Sequence, residues 1–428
     1  MQFKVSTSQA SWVDGECRPA EGQADVRSRD VLTPRFRGFG VCFNELGWIA
    51  LQSVSEVEQQ AVLERLFSPS GLDLHYCRLP IGASDYAESW YSHNETDGDL
   101  SMEHFSIDRD KRHLLPYLEA ARNAHGRDFD LFASPWSPPT WLKDRKAYNH
   151  GRLIWRNEHR KAYALYLARF LQAYQALGID IDSLHVQNEP DSDQKFPSCC
   201  WTGERMRDFI RDDLAPVFLN EGIDAKIWLG TIERGSFNDW VAPTLLDPET
   251  RSIIGGVGFQ WAGKGAVQRT RQAAPDLPII QTENECGDGR NEWEYAHYVF
   301  DLIQHYLSNG GEAYVYWNAV LEAGGVSTWG WRQNSLFCVD PATGGVIANP
   351  EYHLMRHLAG FVRQGSSVLE TVGIWAANTM MFRTSDGNDV AVLQNPLASE
   401  RDVRVELGGS TWVVRLPPKS FATLTNRV

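Results

Sequence analysis

The sequence predicts a (β/α)8 barrel with an appended β-sandwich, on three observations. Eight short apolar runs alternate with longer amphipathic stretches between residues 36 and 362. The first run, "GFGVCF" from Gly38, carries a G-x-G but no third glycine and opens no helix, which argues against a doubly wound dinucleotide-binding sheet. From residue 363 the helical pattern stops, and strand formers take over with turn signals at Asp386-Gly387 and Gly408-Gly409.

The strand candidates of the first half are "FGVCF" (39–43), "LHYCRLPIG" (74–82), "FDLFASPW" (129–136) and "SLHVQNEP" (183–190). The second half has "KIWLGTI" (226–232), "GGVGFQW" (255–261), "PIIQTE" (278–283) and "AYVYWNAV" (313–320). Between them, "SEVEQQAVLERLF" (55–67) and "HRKAYALYLARFLQAYQALG" (159–178) read as helices; in the second, Tyr163, Leu167 and Phe170 recur on one face. Another helix is expected to begin near Glu292 and to stop at Gly310. "RDVRVEL" (401–407) alternates polar and apolar, as a half-buried strand does. The expected division is N-terminal strands over 1–35 joining the sandwich, the barrel over 36–362, and the sandwich over 363–428.

Composition narrows the function classes. A net charge of −14 opposes nucleic acid or an anionic membrane surface as partner and otherwise serves solubility. No run of 18 apolar residues occurs, so no membrane span is expected. The start, "MQFKVSTSQASWVDGEC", lacks the apolar core of a signal sequence, so the chain reads as cytoplasmic, or as secreted if a leader has been removed. Seven cysteines without a C-x-x-C pair read as reduced thiols, with Cys199 and Cys200 as loop thiols. Tryptophan is the abnormal component: 16 residues, many beside Pro, Gly or Asn, where indoles are available to stack on sugar rings. Oligomeric state is not legible.

Barrel active sites lie at the C-terminal ends of the strands. Read there, the second candidate strand gives Arg78 and then Asp85, the third Trp136, and the fourth Asn188 and Glu189. The sixth gives Trp261, the seventh Glu283, and the eighth Trp317 beside Asn318. Two carboxylates flanked by indoles suit glycoside chemistry, which needs an acid/base and a nucleophile on either side of the bond. Pro190 turns the chain out of the sheet and leaves Glu189 over the barrel mouth; Pro80 is expected to put Arg78 at its strand end. "IIQTENECGDG" offers both Glu283 and Glu285 on one strand face; Glu283 stands four residues after Ile279, as Glu189 stands four after His185. Glu285 is expected in the loop above.

Five landmarks in order, "RLPIGASDY", "ASPWSPPTWLK", "QNEP", "TE" and "YWN", resemble glycoside hydrolase family 30, its glucosylceramidase-like branch. The match runs from Gly38 to Ser366, and the trailing sandwich agrees with it. The resemblance implies a retaining β-glycosidase without a cofactor, with Glu189 as acid/base, Glu283 as nucleophile and carboxyl groups about 5–5.5 Å apart. It implies that Asp85, Trp136, Asn188 and Trp317 contact the sugar, with Trp261 beside them, and that Arg78 supports the nucleophile. Where the family has a tyrosine after strand six, this chain has Trp261, so the nucleophile's second partner is open. Glu45, in "GVCFNELGW", stands in for an aspartate of the family's first strand.

The implied substrates are β-glucosides. The alternatives within the family are β-1,6-glucan or galactan cleaved internally, or β-xylosides or β-fucosides. A metal-dependent hydrolase would need histidines at strand ends, which the first strand lacks. A barrel that only binds carbohydrate would usually have lost one of the two glutamates.

Overall fold

The computed structural model of the protein describes residues 1–426. Eight parallel strands close into a barrel: β1 (Gly38–Cys42), β2 (Tyr76–Ile81), β3 (Asp130–Pro135), β4 (Ser183–His185), β5 (Lys226–Ile232), β6 (Val257–Gln260), β7 (Ile279–Glu283) and β8 (Gly311–Asn318). β8 pairs with β1, with Ala313 opposite Gly38, which completes the ring. Each falls within or overlaps an apolar run read from the sequence. β1, β2 and β7 are buried at every position, because side chains fill the barrel on one face and helices cover the other. Gly40 is demanded by that closure: a Cβ there would stand 1.6 Å from the Tyr76 carbonyl oxygen of β2.

The three expected helices form over Glu56–Phe67, Asn157–Gln175 and Trp293–Ser308. Ser55 caps the first by accepting from the Glu58 N–H, and Gly310 follows the third with φ 85. His185 fills the barrel interior between Phe132 (ring centroids 4.8 Å apart) and Trp228 (5.2 Å). Burial holds its imidazole well below the usual range, so it is a neutral core residue.

Two expectations about strand ends change. Pro80 does not end β2, which runs on to Ile81 and pairs Pro80 with Ser134 of β3. The Arg78 carbonyl accepts from the Phe43 N–H, and two residues later the β1 side has no further ladder, so the missing proline N–H leaves nothing unpaired. Arg78 therefore lies inside β2 and points into the barrel. β4, read as eight residues, is regular only over Ser183–His185. Beyond it the chain keeps irregular rungs, Gln187 N–H to Gly230 O (2.9 Å), Asn188 N–H to Pro135 O (2.8 Å) and Glu189 N–H to Thr231 O (3.1 Å).

The appended unit is one continuous ten-stranded sheet, almost entirely antiparallel and curled around its own core. Both chain ends build it. Gln2–Ser6 pairs with Ser420–Thr425, and Val26–Thr33 pairs with Ser367–Gly373. Strand alternation splits its apolar residues: Leu369, Met381 and Ala391 enter the sheet's own core, while Val368, Met380 and Phe382 pack into the core shared with the barrel. The two are also bonded. Trp293 donates its indole N–H to the Lys419 carbonyl at 2.8 Å, and His357 lies 2.9 Å from both Ser6 Oγ and Thr423 Oγ1.

Candidate active site

A cavity of ≈ 450 Å³ opens at the C-terminal ends of the strands, lined by Asp85, Trp136, Asn188, Glu189, Trp261, Glu283 and Glu285 among others. A wider depression of ≈ 820 Å³ opens at the opposite end of the barrel, and two of its acids serve the backbone and neighbouring side chains. Asp182 accepts from the Leu131 N–H, and Asp130 pairs with His75. The first cavity gathers two glutamates at strand ends with two indoles, Trp136 and Trp261, on its wall.

Arg78 organises that cavity from beneath, at 0% exposure. Its Nη1 donates to Glu283 Oε2 at 2.6 Å, and its Nη2 donates to Asn188 Oδ1 at 2.6 Å. Ser134 Oγ of β3 accepts from both Nε (3.0 Å) and Nη2 (2.8 Å). The guanidinium plane lies 4.5 Å from the centroid of Trp136, adding a cation–π contact. Strands β3 and β7 and the segment after β4 thus fix one side chain, which in turn holds Glu283 and Asn188 at the cavity.

Glu283, the last residue of β7, is 5% exposed. Burial pushes its carboxyl up, Arg78 pulls it down, and Glu189 and Asp85 push it up again. The 2.6 Å ion pair and a second donor, Gln260 Nε2 at 3.0 Å, both engage Oε2. Glu283 is therefore the carboxyl of the cluster best placed to carry the charge that balances Arg78. Its other oxygen, Oε1, remains for whatever enters the cavity.

Glu189 is 9% exposed and has φ 47, a left-handed conformation that costs a side-chain-bearing residue about 1–2 kcal/mol. Burial raises its carboxyl above the ordinary range, opposed by the Trp261 indole, Arg78 and the Ser192 hydroxyl. One carboxyl raised by burial thus stands beside another paired with arginine, an arrangement that suits an acid/base beside a nucleophile. Asp85 is pushed up to about 7, first by burial and then by Glu189. Its Oδ2 receives Gln333 Nε2 at 3.4 Å, the Trp136 indole also pulls the carboxyl down, and Oδ1 is buried.

Asn188 Oδ1 accepts from Arg78, from Gln260 Nε2 at 2.6 Å and from Thr231 Oγ1 at 3.3 Å. With its oxygen so occupied, the amide nitrogen is the end that Asn188 can present to a ligand. Trp136 lines the cavity and stacks on Trp317 with ring centroids 5.3 Å apart.

Several expectations are refined. Trp317 is fully buried behind Trp136 and adds no surface to the cavity. Trp261 lies on a short turn, Trp261–Gly263, where its indole serves Glu189 and not Glu283. The second partner of Glu283 is Gln260, one residue earlier at the end of β6, which sequence reading passed over. It was visible as the polar residue closing an apolar run, and it sits opposite Glu283 in the ladder. Glu45 lies away from the cavity: its Oε2 accepts from the Glu88 N–H (2.7 Å) and Arg109 Nη2 (3.0 Å). Glu285 lines the outer cavity two residues beyond Glu283, in the loop. Thr231, Ser134 and Gln333 also escaped notice, because a lone polar residue in a strand gives no signal of what faces it.

The buried ion pair makes a stability prediction. Arg78→Met leaves Glu283 without its cation and Asn188 with one donor fewer, and destabilisation of about 3–5 kcal/mol is expected in denaturant titrations. Adding Glu283→Gln should return part of that loss, because the unpaired carboxylate is then gone. A double variant no more stable than Arg78→Met would show that the pair is not what Arg78 stabilises.

The family model for the glycosyl hydrolase family 30 TIM-barrel domain matches residues 36–362. Among curated relatives, "Putative glucosylceramidase 2" of Caenorhabditis elegans is 29% identical over 418 residues, covering 91% of this chain and 80% of the relative. Endo-1,6-β-D-glucanase of Neurospora crassa is 24% identical over 402 residues, covering 88% and 82%. The crystal structure of SrfJ from Salmonella typhimurium superposes with a TM-score of 0.89 at 24% identity, covering 100% of this chain and 99% of the other. That last likeness speaks for the fold alone. A family match over the whole barrel, on a closed eight-stranded barrel with two buried glutamates at its mouth, leads to one conclusion: the chain belongs to glycosyl hydrolase family 30 and is a retaining β-glycosidase of that family.

Proposed function

We propose that the protein hydrolyses β-glucosides, with Glu283 as nucleophile and Glu189 as acid/base. The observation that carries the assignment of roles is the pairing of Arg78 with Glu283 Oε2 at 2.6 Å, while Glu189 has no such cation in contact. In the first step Glu283 Oε1 attacks the anomeric carbon, the glycosidic C–O bond breaks, and the Glu189 proton passes to the leaving oxygen. In the second, Glu189 takes a proton from water, the water oxygen attacks the anomeric carbon, and the ester bond to Glu283 breaks. Asn188 donates its amide N–H to the 2-hydroxyl, where the contact strengthens as the ring approaches an oxocarbenium ion. Asp85 Oδ1 accepts from a sugar hydroxyl farther round the ring, and Trp136 supplies the flat apolar wall. Glucose is favoured because the relatives with different aglycones, a glucosylceramidase and a glucanase by name, share a β-glucosyl unit.

The test is covalent trapping. 2,4-Dinitrophenyl 2-deoxy-2-fluoro-β-glucoside should inactivate the enzyme, because fluorine slows both steps while the activated leaving group rescues only the first. Peptide mass spectrometry should then place one fluoroglucosyl group on Glu283. A label on Glu285 or Glu189 overturns the roles; rapid labelling by the xyloside or fucoside analogue, with none by the glucoside, overturns the sugar.

A further inference from the structure

A third carboxyl group, outside the catalytic pair, is buried against Glu189. Glu233 directly follows β5 at 0% exposure. Its Oε1 accepts from the Asp191 N–H at 3.0 Å and from Ser192 Oγ–H at 2.9 Å, while Oε2 is buried without a partner. Asp191 and Ser192 complete the turn that begins at Glu189 and is closed by the Ser192 N–H on the Glu189 carbonyl at 3.0 Å. That turn is the segment holding Glu189 at φ 47, a conformation that persists in a glutamate only when its surroundings fix it. The Ser192 hydroxyl stands between the two acids and reaches both.

We propose that Glu233 is a positioning residue for Glu189: its Oε1 anchors the turn that aims Glu189 into the cavity, and the two acids share protons across Ser192. The inference rests on reading Glu189 as the acid/base. The charged groups facing Glu233 are Glu189 and Asp191 from the loop after β4, and Arg234 from its own loop. Arg234 makes a long ion pair with Oε1 at 3.8 Å while directing its Nε–H to Asp191 at 3.0 Å, so Glu233 shares that cation with Asp191. Burial, then Glu189, pushes the Glu233 carboxyl up to about 8. Two such acids bridged by one hydroxyl titrate as a pair, and after the first proton leaves, the second is held jointly. Glu189 thereby stays partly protonated to higher pH than it would alone, which extends the range over which it can act as an acid.

The experiment measures kcat/KM against pH for wild type, Glu233→Gln and Glu233→Asp, each with an alkyl and a 2,4-dinitrophenyl β-glucoside. Glutamine keeps the acceptor oxygen and removes the titrating proton, so the basic limb should move down by roughly 0.5–1 pH unit. Aspartate keeps the acid but withdraws it by one methylene from the turn. Its rate should fall about 10-fold further with the alkyl glucoside, which needs protonation, than with the activated one. A basic limb in Glu233→Gln that coincides with wild type, or an equal fall on both substrates in Glu233→Asp, overturns the proposal. Glu189→Ala measured alongside separates the two levels: if it shows no dependence on leaving group, the acid/base assignment fails and the role of Glu233 fails with it.

Discussion

Replacing Glu283 by glutamine is expected to lower kcat on the order of 10⁴–10⁶-fold, the scale seen when a covalently acting group is removed. The amide keeps the shape and still accepts from Arg78 and Gln260, so ground-state binding should persist and the loss should lie in kcat. Glu283→Ala opens space beside the anomeric carbon. Azide added to that variant should attack from the vacated side and give the α-glycosyl azide, identified by the anomeric coupling in its NMR spectrum. A β-glycosyl azide would mean that the position removed was the acid/base. The same substitution at Glu285, which lines the outer cavity, should cost far less; equal losses at the two positions would return the pair to the ambiguity present in "IIQTENECGDG".

Glu189→Ala is expected to produce the second largest effect and one of a different kind. Loss of general acid catalysis costs about 10²–10⁴-fold where the leaving group needs a proton, and little where it does not. Alkyl glucosides should therefore nearly cease to react. Dinitrophenyl glucosides should give a fast burst of phenol followed by slow turnover, because the ester on Glu283 still forms but no base activates water. KM should drop as that ester accumulates. Azide needs no base, and it should restore steady turnover with the β-glycosyl azide as product. Equal slowing of both substrates, without a burst, would remove Glu189 from the acid/base role.

The sequence was informative wherever burial imposed a pattern. Eight apolar runs marked eight strands because a barrel strand is enclosed on both faces, and Glu189 and Glu283 stood out because each ends such a run with a charge. Glu283 is the last regular residue of β7, so the depth along the strand that separates it from Glu285 coincides with the point where the chain leaves the sheet. What was not legible lay between strands. Gln260 reaches Glu283 and Asn188 at once, but nothing in "VGFQW" says which neighbours its amide meets across the ladder. Trp261 drew attention instead, being the larger residue at the same strand end. Pro80 does not put Arg78 at a strand end, because the side on which proline lacks its donor faces an edge whose ladder has already stopped. Glu233 gave no signal, since a glutamate after a strand is usually solvated, and only the fold shows that the turn after β4 covers it.

The accessory sheet takes strands from both sides of the barrel sequence, with Gln2–Ser6 against Ser420–Thr425 and Val26–Thr33 against Ser367–Gly373. On a ribosome the first of these segments emerges long before its partner exists. It must wait, unpaired, while every strand and helix of the barrel is made; at about 5–20 residues per second that interval is tens of seconds. Val26–Thr33 carries Arg27, Arg29 and Asp30 on a largely exposed side, charges that discourage a solitary strand from pairing with copies of itself. The strand Ser420–Thr425 then closes a sheet whose other face packs on the barrel, so the accessory sheet becomes whole only after the entire barrel sequence has been made.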